Sequence, residues 1–268
     1  MVVSKNKTSP GPTTPSRRVI LLGASNLTRG ISTVVETARL SWGTPLDIMS
    51  ALGHGRSYGK PTRVLGRSLP GIVDCGLWQD LAARPRIDTT ALVTDVGNDI
   101  LFDVPPTTVI TWLDRCLERL APVTQSLVIS ELPLTNIAQL STARFRLFRT
   151  ILFPRSRMTL SEVNRRAEEL NQKLLQLASR YQAHVVTPVR AWYGFDPIHI
   201  KMRYWPTAWA QIMKPWSQPT LVHPARGSFF RWLFLRCLIP HQRRLFGFVQ
   251  RKQQPAATLP DGSQISLY

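Results

Sequence analysis

The sequence predicts an α/β fold, a three-layer sandwich in which a five-stranded parallel sheet carries helices on both faces. Apolar stretches of strand length alternate along the chain with helical patterns, and this alternation specifies a parallel sheet. The predicted strands are residues 18–22, 46–52, 91–96, 127–132 and 184–188. The 268 residues are enough for one such domain and an additional segment.

Two helical patterns between these strands have a clear apolar face. The first begins at Pro105 and Pro106, and its three-and-four spacing predicts a buried stripe of Val109, Leu113, Cys116, Leu117 and Leu120. The second begins with Thr159-Leu160-Ser161-Glu162, which reads as a capping box, and continues through Tyr181. Its sheet-facing residues are predicted to be Val163, Leu170, Leu174, Leu177 and Ala178.

Residues 143–153 alternate arginines with large apolar side chains. As a helix, this segment would present Phe145, Phe148 and Leu152 on one side, with Arg146 and Arg149 beside them. Two interpretations are open at this point. The helix packs on the core as an ordinary surface element, or it is a mobile cover that excludes water from a pocket.

A serine stands where the first predicted strand gives way to a helical pattern. The strand stops at Gly23-Ala24-Ser25-Asn26, and apolar periodicity begins at Leu27. A turn from strand to helix exposes a side chain above the sheet and directs free backbone N–H groups at developing negative charge. Ser25 is therefore a candidate nucleophile.

A carboxylate and an imidazole follow the fifth predicted strand, at Asp196 and His199. A serine hydroxyl needs an adjacent base, and the base needs a third group that holds its tautomer. Either motif alone is common in proteins without such chemistry. Because the carboxyl ends of parallel strands share one edge of the sheet, we expect Ser25, Asp196 and His199 to meet there.

Four short blocks between residues 18 and 216 resemble, in content and order, those of the SGNH or GDSL-type hydrolases. The blocks are Gly23-Ala24-Ser25-Asn26-Leu27, Gly53-His54-Gly55-Arg56-Ser57-Tyr58-Gly59, Val96-Gly97-Asn98-Asp99, and residues 196–199. The resemblance implies a flavodoxin-like SGNH hydrolase fold. It also implies a serine esterase that cleaves carboxylic esters through an acyl-enzyme intermediate.

The resemblance further implies a role for five residues. Ser25 would be the nucleophile, His199 the base, and Asp196 the group that orients the histidine. The oxyanion hole would consist of the Ser25 and Gly55 backbone N–H groups and the Asn98 side-chain amide, each worth a few kcal/mol of transition-state stabilisation.

Two positions depart from the blocks of the family. Ala24 stands where the family usually has aspartate, and Val96 stands where it has glycine. Neither change removes a predicted catalytic group, but both alter the packing around the oxyanion hole. They leave an alternative open, in which the scaffold is catalytically weak or inactive and acts as a membrane- or polyanion-binding adaptor through its basic tail.

The composition indicates acidic partners and no bound metal. There are 34 Lys and Arg against 16 Asp and Glu, a net charge of +18, which favours polyanionic neighbours. The three cysteines, Cys75, Cys116 and Cys237, are too few and too scattered for a metal site or a disulfide framework. We expect reduced, mostly buried thiols and neither a metal nor a cofactor.

The sequence divides into a disordered lead-in at residues 1–17, a hydrolase-like domain at residues 18–216, and a basic aromatic extension at residues 217–268. Residues 201–268 carry ten Lys and Arg against one Asp. Within them, residues 228–239 are too short to span a bilayer but rich in Phe and Leu. This stretch lies in the headgroup region of a membrane, packs back onto the domain, or forms a dimer contact.

The expected location is the cytoplasm, including the inner face of a membrane. Residues 1–17 lack the apolar core of a secretion signal. The expected partners are a small-molecule or lipid ester and, through residues 226–252, an anionic membrane. Arginines and aromatic residues also interleave in residues 143–157 and 226–252, but no recognised nucleic-acid motif appears, so nucleic acid is not an expected partner.

Overall fold

The computed structural model describes residues 14–152, 156–217 and 224–268. The predicted lead-in lies outside the described residues as far as residue 13. The strands in the described part of the chain are β1 (Arg17–Leu22), β2 (Leu46–Ala51), β3 (Thr62–Val64), β4 (Arg67–Leu69), β5 (Asp88–Val93), β6 (Ser126–Ser130), β7 (His184–Val186), β8 (Gln242–Leu245), β9 (Phe248–Arg251), β10 (Ala257–Thr258) and β11 (Gln264–Leu267). The α-helices there are α1 (Ser25–Arg29), α2 (Ile31–Trp42), α3 (Leu77–Ala83), α4 (Asn98–Leu101), α5 (Pro106–Leu120), α6 (Leu134–Ala138), α7 (Thr142–Leu152), α8 (Leu160–Arg180), α9 (Trp205–Ile212) and α10 (Phe229–Cys237).

The central sheet has the order β10-β11-β2-β1-β5-β6-β7. Every neighbouring pair is parallel except β10 and β11, which are antiparallel. The predicted parallel sheet is confirmed, and its five predicted strands follow the flavodoxin-like order of a doubly wound fold. The predicted number of five strands is wrong, because seven strands of the described chain form this sheet.

The two additional strands cover the outer edge of β2. This strand is buried along its whole length, so a five-stranded sheet would leave buried N–H and C=O groups unpaired. β11 pairs with it in parallel, with Gln264 beside Asp47. The Tyr268 N–H donates to Ser50 O at 2.9 Å. Residues from the predicted C-terminal extension thus complete the central sheet.

The side chains of β1 divide between two cores, one on each face of the sheet. Ile20 and Leu22 pack with residues of α5 and α8, whereas Val19 and Leu21 pack with residues of α2 and α9. A strand that is buried on both faces in this way reads as a continuous apolar run. The three layers are therefore helices, sheet and helices, as the alternation predicts.

The two predicted helical stripes are confirmed. In α5 the five predicted residues are buried, and in α8 the five predicted residues are buried as well. Thr159 caps α8, since its hydroxyl oxygen accepts a hydrogen bond from the Glu162 N–H at 3.2 Å. The helix extends to Arg180, one residue short of the predicted end.

A second, antiparallel sheet has the strand order β3-β4-β8-β9. We call it the hairpin sheet. Its strands are three or four residues long, and two-residue turns at Leu65-Gly66 and Phe246-Gly247 join them in pairs. Strands this short carry too little periodicity to be seen in the sequence, which is why the prediction lacks this sheet.

The aromatic stretch of the extension forms α10, which packs against α2. Its Leu235 is buried, and its Trp232 Nε1–H donates to Arg29 O at 3.0 Å. One face of this stretch therefore packs back onto the domain, and the other face stays exposed. Among the described helices, none combines the length and apolar character that crossing a bilayer requires.

The three cysteines are free thiols. Cys75 and Cys116 are buried beneath the sheet in the same core, and Cys237 at the end of α10 is exposed. Burial raises the pKa of both buried thiols.

Candidate active site

Ser25 is the first residue of α1 and lies directly beyond the carboxyl end of β1. The preceding turn requires a glycine. A Cβ atom at Gly23 would lie 2.7 Å from the Leu27 side chain and 2.8 Å from that of Thr94. The chain therefore passes close to β5 and turns sharply into the helix. Ser25 is buried, with 6% of its surface exposed.

The structure brings together the three residues that sequence reasoning paired across the chain. The Ser25 hydroxyl oxygen lies 2.8 Å from His199 Nε2, although the residues are 174 positions apart. On the other side of the ring, His199 Nδ1 lies 2.5 Å from Asp196 Oδ2. A hydroxyl, an imidazole and a carboxylate thus form one continuous hydrogen-bonded chain.

Asp196 is held in place by its own loop. Its Oδ1 atom accepts hydrogen bonds from the backbone N–H groups of Ile198 at 3.1 Å and His199 at 3.2 Å. Burial on its own raises the pKa of Asp196, but the hydrogen bond from the His199 ring and these two backbone bonds outweigh it, so the pKa lies below its usual value. The carboxylate is therefore ionised at neutral pH, and it is placed to accept a hydrogen bond from Nδ1 of the His199 ring.

Asn98 supplies a free hydrogen-bond donor beside the serine. It is the first residue of α4 and lines the same cavity as Ser25. Its side-chain nitrogen is buried and has no hydrogen-bond partner among the described residues. Because Asn98 also lines the cavity beside Ser25, this unpaired donor is available to bind a ligand there.

Gly55 follows the carboxyl end of β2, as Ser25 follows β1 and Asn98 follows the end of β5. Its φ of +56° lies in the left-handed region, which favours glycine. A Cβ atom at this position would lie 3.5 Å from the Val64 side chain, so the residue borders the hairpin sheet. The role of its N–H group as an oxyanion donor stays a prediction.

Asp95 is a site residue that sequence reasoning missed. The predicted strand 91–96 ends at Val93, so Asp95 lies in the following turn with a φ of +58°. Its Oδ2 atom accepts hydrogen bonds from the Ala24 N–H at 2.9 Å and the Asn26 N–H at 3.0 Å. The carboxylate fixes the backbone on both sides of Ser25.

Asn26 is the second missed residue, and it joins the two ends of the site. Its side-chain amide donates to Asp95 Oδ1 at 2.7 Å and to Ile198 O at 2.9 Å. Its side-chain oxygen accepts from the Ile200 N–H at 2.9 Å. One buried side chain thus ties the serine turn to the loop that carries Asp196 and His199. Its place directly after Ser25 was the available signal.

An apolar cavity of about 100 Å³ leads away from Ser25 and Asn98 beneath α7. It is lined mainly by aliphatic and aromatic side chains, including Ile100, Leu132, Ile137, Leu140, Phe145 and Phe148. Phe145 is also part of the adjacent core, with 5% exposure. The helix therefore packs on the core, as the first interpretation of residues 143–153 expects, and it also lines the cavity. That it is a mobile cover stays a prediction. The Leu152 side chain lies outside the described residues.

The opposite side of the site is basic. The Arg236 guanidinium donates to His54 Nε2 at 2.8 Å, and Arg29 lies 3.7 Å from Asp196 Oδ2. Partial burial, together with Arg236 and His199, lowers the pKa of His54 to about 4. His54 is therefore neutral at pH 7 and accepts the arginine hydrogen bond. No cluster of three or more His, Cys, Asp or Glu side chains suited to a metal ion occurs in the described part of the chain.

No known family profile and no curated protein matches the sequence. Among solved structures, the chain is similar to a carbohydrate acetylesterase family member from Sinorhizobium meliloti, with 12% sequence identity and a TM-score of 0.48. The match covers 74% of this chain and 96% of the acetylesterase family member. It is similar to a member of the lipolytic protein G-D-S-L family from Veillonella parvula, with 13% identity, coverage of 74% and 97%, and a TM-score of 0.46.

A third similar structure is a gut microbial diltiazem-metabolizing enzyme, with 14% identity and a TM-score of 0.46. The match covers 76% of this chain but spans about half, 47%, of that enzyme. Sequence identities of 12–14% with TM-scores below 0.5 do not indicate the activity of this protein. What the site can do follows from the geometry of Ser25, His199, Asp196 and Asn98.

Proposed function

We propose that this protein is an SGNH-type serine esterase that hydrolyses carboxylic esters through an acyl-enzyme intermediate. The proposal is supported by the hydrogen-bonded chain of three side chains. Ser25 Oγ lies 2.8 Å from His199 Nε2, and His199 Nδ1 lies 2.5 Å from Asp196 Oδ2. This is the arrangement by which a serine hydroxyl, a poor nucleophile at neutral pH, becomes reactive.

In the first half-reaction, Ser25 Oγ attacks the ester carbonyl carbon while its proton passes to His199 Nε2. The carbonyl oxygen becomes negatively charged in the tetrahedral intermediate. Ionised Asp196 stabilises the imidazolium that forms. The intermediate then expels the alcohol, which takes the proton from His199, and the acyl group remains on Ser25.

The site must stabilise the negative charge that forms on the carbonyl oxygen of the tetrahedral intermediate. The unpartnered amide of Asn98 and the N–H of Ser25 at the start of α1 are suited to stabilise it, with the Gly55 N–H as the third predicted donor. Asn98 needs no rearrangement, because its donor has no partner to give up among the described residues.

In the second half-reaction, water replaces the alcohol. His199 Nε2 takes a proton from this water, whose oxygen attacks the acyl carbon. The tetrahedral intermediate collapses, Ser25 Oγ recovers the proton from His199, and the carboxylic acid leaves. All proton transfers therefore use one imidazole, and no cofactor enters the cycle.

The cavity beneath α7 is suited to the acyl part of the substrate. Its lining is mostly apolar and begins at Ser25 and Asn98, so an acyl chain that enters it would bring its carbonyl carbon to the serine. The substrate class that follows is a small-molecule or lipid ester with an apolar acyl group. Its alcohol part would face the basic side, near Arg29 and His54.

Hydrolysis of a graded series of p-nitrophenyl esters, from acetate to octanoate, tests the proposal. Ser25→Ala should lower kcat by a factor on the order of 10⁴ or more while the circular dichroism spectrum stays unchanged. Ser179→Ala is the matched control, because Ser179 is exposed on α8, and it should retain full activity. A Ser25→Ala protein that turns over esters at the wild-type rate would refute the assignment.

A further inference from the structure

The two turns of the hairpin sheet carry bulky apolar residues in a conformation that such residues avoid. Leu65 and Gly66 have φ angles of +48° and +76°, and Phe246 and Gly247 have φ angles of +46° and +94°. Two successive positive φ angles are the pattern of a type I′ turn, whose first position favours Asn, Asp or Gly. Leucine and phenylalanine at these positions cost conformational free energy that asparagine would not.

These same residues are also exposed to solvent. Leu65 is 94% exposed and Phe246 is 72% exposed. Phe248, which follows the second turn, is 78% exposed. The two turns adjoin, because the Phe246 N–H donates to Gly66 O at 2.9 Å and the Phe246 ring lies against Gly66. The two adjacent turns therefore expose a pair of apolar side chains, Leu65 and Phe246, which we call the hairpin tips. Their positive φ angles and their contact with water both cost free energy.

The surroundings of the tips are strongly basic. Residues 62–69 and 242–251, which form the hairpin sheet, contain five arginines and neither Asp nor Glu. Among the described residues, none of these arginines forms an ion pair. Burial and the neighbouring Arg243 and Arg236 lower the pKa of Arg67 to about 10, so these cations repel one another. An anionic surface would relieve this repulsion.

The hairpin sheet adjoins a second exposed apolar surface, the outer face of α10. Arg236 of this helix stacks over the Trp232 ring at 5.6 Å and lies near Arg67 of β4. The exposed residues on this face are Phe229, Phe230, Leu233 and Phe234. The apolar face of a helix is normally buried, and here one apolar face has no cover among the described residues.

We infer that the hairpin tips at Leu65 and Phe246, flanked by the outer face of α10, dock on the surface of an anionic lipid bilayer. Apolar side chains that enter the headgroup region beside arginines combine hydrophobic burial with attraction to acidic lipids. A second copy of this chain is a poorer occupant, because two such faces would bring like charges together. The hairpin sheet itself approaches the Gly55 turn, since a Cβ atom at Gly55 would lie 3.5 Å from the Val64 side chain of β3.

Sedimentation of the full chain with lipid vesicles tests the inference without reference to turnover. We expect binding to vesicles of phosphatidylcholine with phosphatidylglycerol, and little binding to phosphatidylcholine alone. The double variant Leu65→Asn with Phe246→Asn should bind the anionic vesicles more weakly by about tenfold or more. Asparagine suits the left-handed turn, so this variant is expected to keep or gain stability.

Met202→Gln is the matched control, because Met202 is 73% exposed and lies outside the hairpin sheet and α10, so its binding should be unchanged. If the double variant loses its folded circular dichroism spectrum, Phe248→Thr within β9 makes the same comparison. A second test removes charge at exposed positions: Arg63→Gln with Arg244→Gln should weaken binding and flatten its salt dependence.

Two outcomes would overturn the inference. The wild-type chain stays in the supernatant with anionic vesicles at low salt, or the double variant binds them as tightly as the wild type. In the second case, a changed oligomeric state would assign the tips to a second copy of the chain, and a changed affinity for single-stranded RNA would assign them to nucleic acid. Because none of these measurements uses ester turnover, failure here leaves the proposed esterase activity untouched, and failure of the esterase leaves the docking surface untouched.

Discussion

Asn26 and Asp95 hold the serine turn together, with the Asn26 side-chain amide donating to Asp95 Oδ1 at 2.7 Å. The same amide donates to Ile198 O, and its oxygen accepts from the Ile200 N–H, so the Asn26 side chain ties the turn to the histidine loop. The alignment of Ser25 with His199 therefore depends on a residue that takes no part in the chemistry.

Asn26→Ala should lower kcat by about a hundredfold with a smaller change in KM, because displacement of catalytic groups by about 1 Å has effects of this size. It should also destabilise the protein by about 1–3 kcal/mol, since Asp95, Ile198 and Ile200 lose buried hydrogen bonds. Steady-state kinetics and urea unfolding measure the two effects. Asn136→Ala, at a partly exposed asparagine on α6, is the control, and equal kinetics for both variants would contradict a positioning role.

Asn98→Ala should separate catalysis from stability. The Asn98 side-chain nitrogen has no hydrogen-bond partner in the described chain, so removing it breaks no donor contact within that part of the protein. We expect kcat to fall by about 10²–10³, as for loss of one oxyanion-hole donor, with little change in the melting temperature. A large loss of stability with retained kcat would show that the amide has a structural role instead.

Asp99 should make stability depend on pH. Burial raises the pKa of this fully buried carboxyl from 3.8 to about 6, although hydrogen bonds from Ser57 and the Tyr58 N–H oppose the shift. The folded state therefore prefers the protonated form, and this stability is fully present below about pH 4 and is lost as the pH rises through 6. Above pH 6 the buried carboxylate is ionised, which lowers the free energy of unfolding.

Asp99→Asn should accordingly stabilise the protein at pH 8, by up to about 3 kcal/mol, since one pKa unit is worth about 1.4 kcal/mol. The gain should vanish near pH 4, where the wild-type carboxyl is neutral. Urea unfolding across this pH range measures the difference. Asp74→Asn, at a side chain that is 60% exposed, is the control. A gain that does not vary with pH would contradict the assignment.

Phe148→Ala should change the acyl-length profile. Phe148 lines the cavity on α7 and is partly buried, so its loss lengthens the cavity at a moderate cost in stability. We expect the ratio of octanoate to acetate turnover to rise by severalfold in kcat/KM. Leu147→Ala is the control, because its exposed side chain does not line the cavity. An unchanged ratio would show that the acyl chain lies elsewhere.

The sequence predicted the parts of this structure that are long and periodic or that sit at strand ends. The central parallel strands, α5 and α8 carry strong apolar patterns, and Ser25, Asn98 and His199 each follow a strand. The contacts between Asn26 and Asp95 could not be predicted from the sequence, because they depend on the relative positions of two turns that are 69 residues apart. The place of Asn26 directly after Ser25 marks it as a neighbour of the site, but nothing local shows which groups its side chain contacts.

The C-terminal strands were missed for a related reason. Residues 264–267 form four positions of β11, whose place in the sheet is set by the unpaired edge of β2 rather than by a pattern of their own. A chain that ends at residue 256 should therefore lose stability or aggregate, whereas Phe230→Ser in the same extension should not. Thermal unfolding of the two variants checks this, and a stable shortened chain would contradict the role of β11.

If His199 activates Ser25, a fluorophosphonate probe should label this serine. The probe forms a covalent bond with an activated serine and releases fluoride. Mass spectrometry of the labelled full chain should find one adduct on the peptide that contains Ser25, and His199→Ala should abolish the labelling in a folded protein. An unlabelled wild-type chain, or an adduct that persists in His199→Ala at the same rate, would contradict the account.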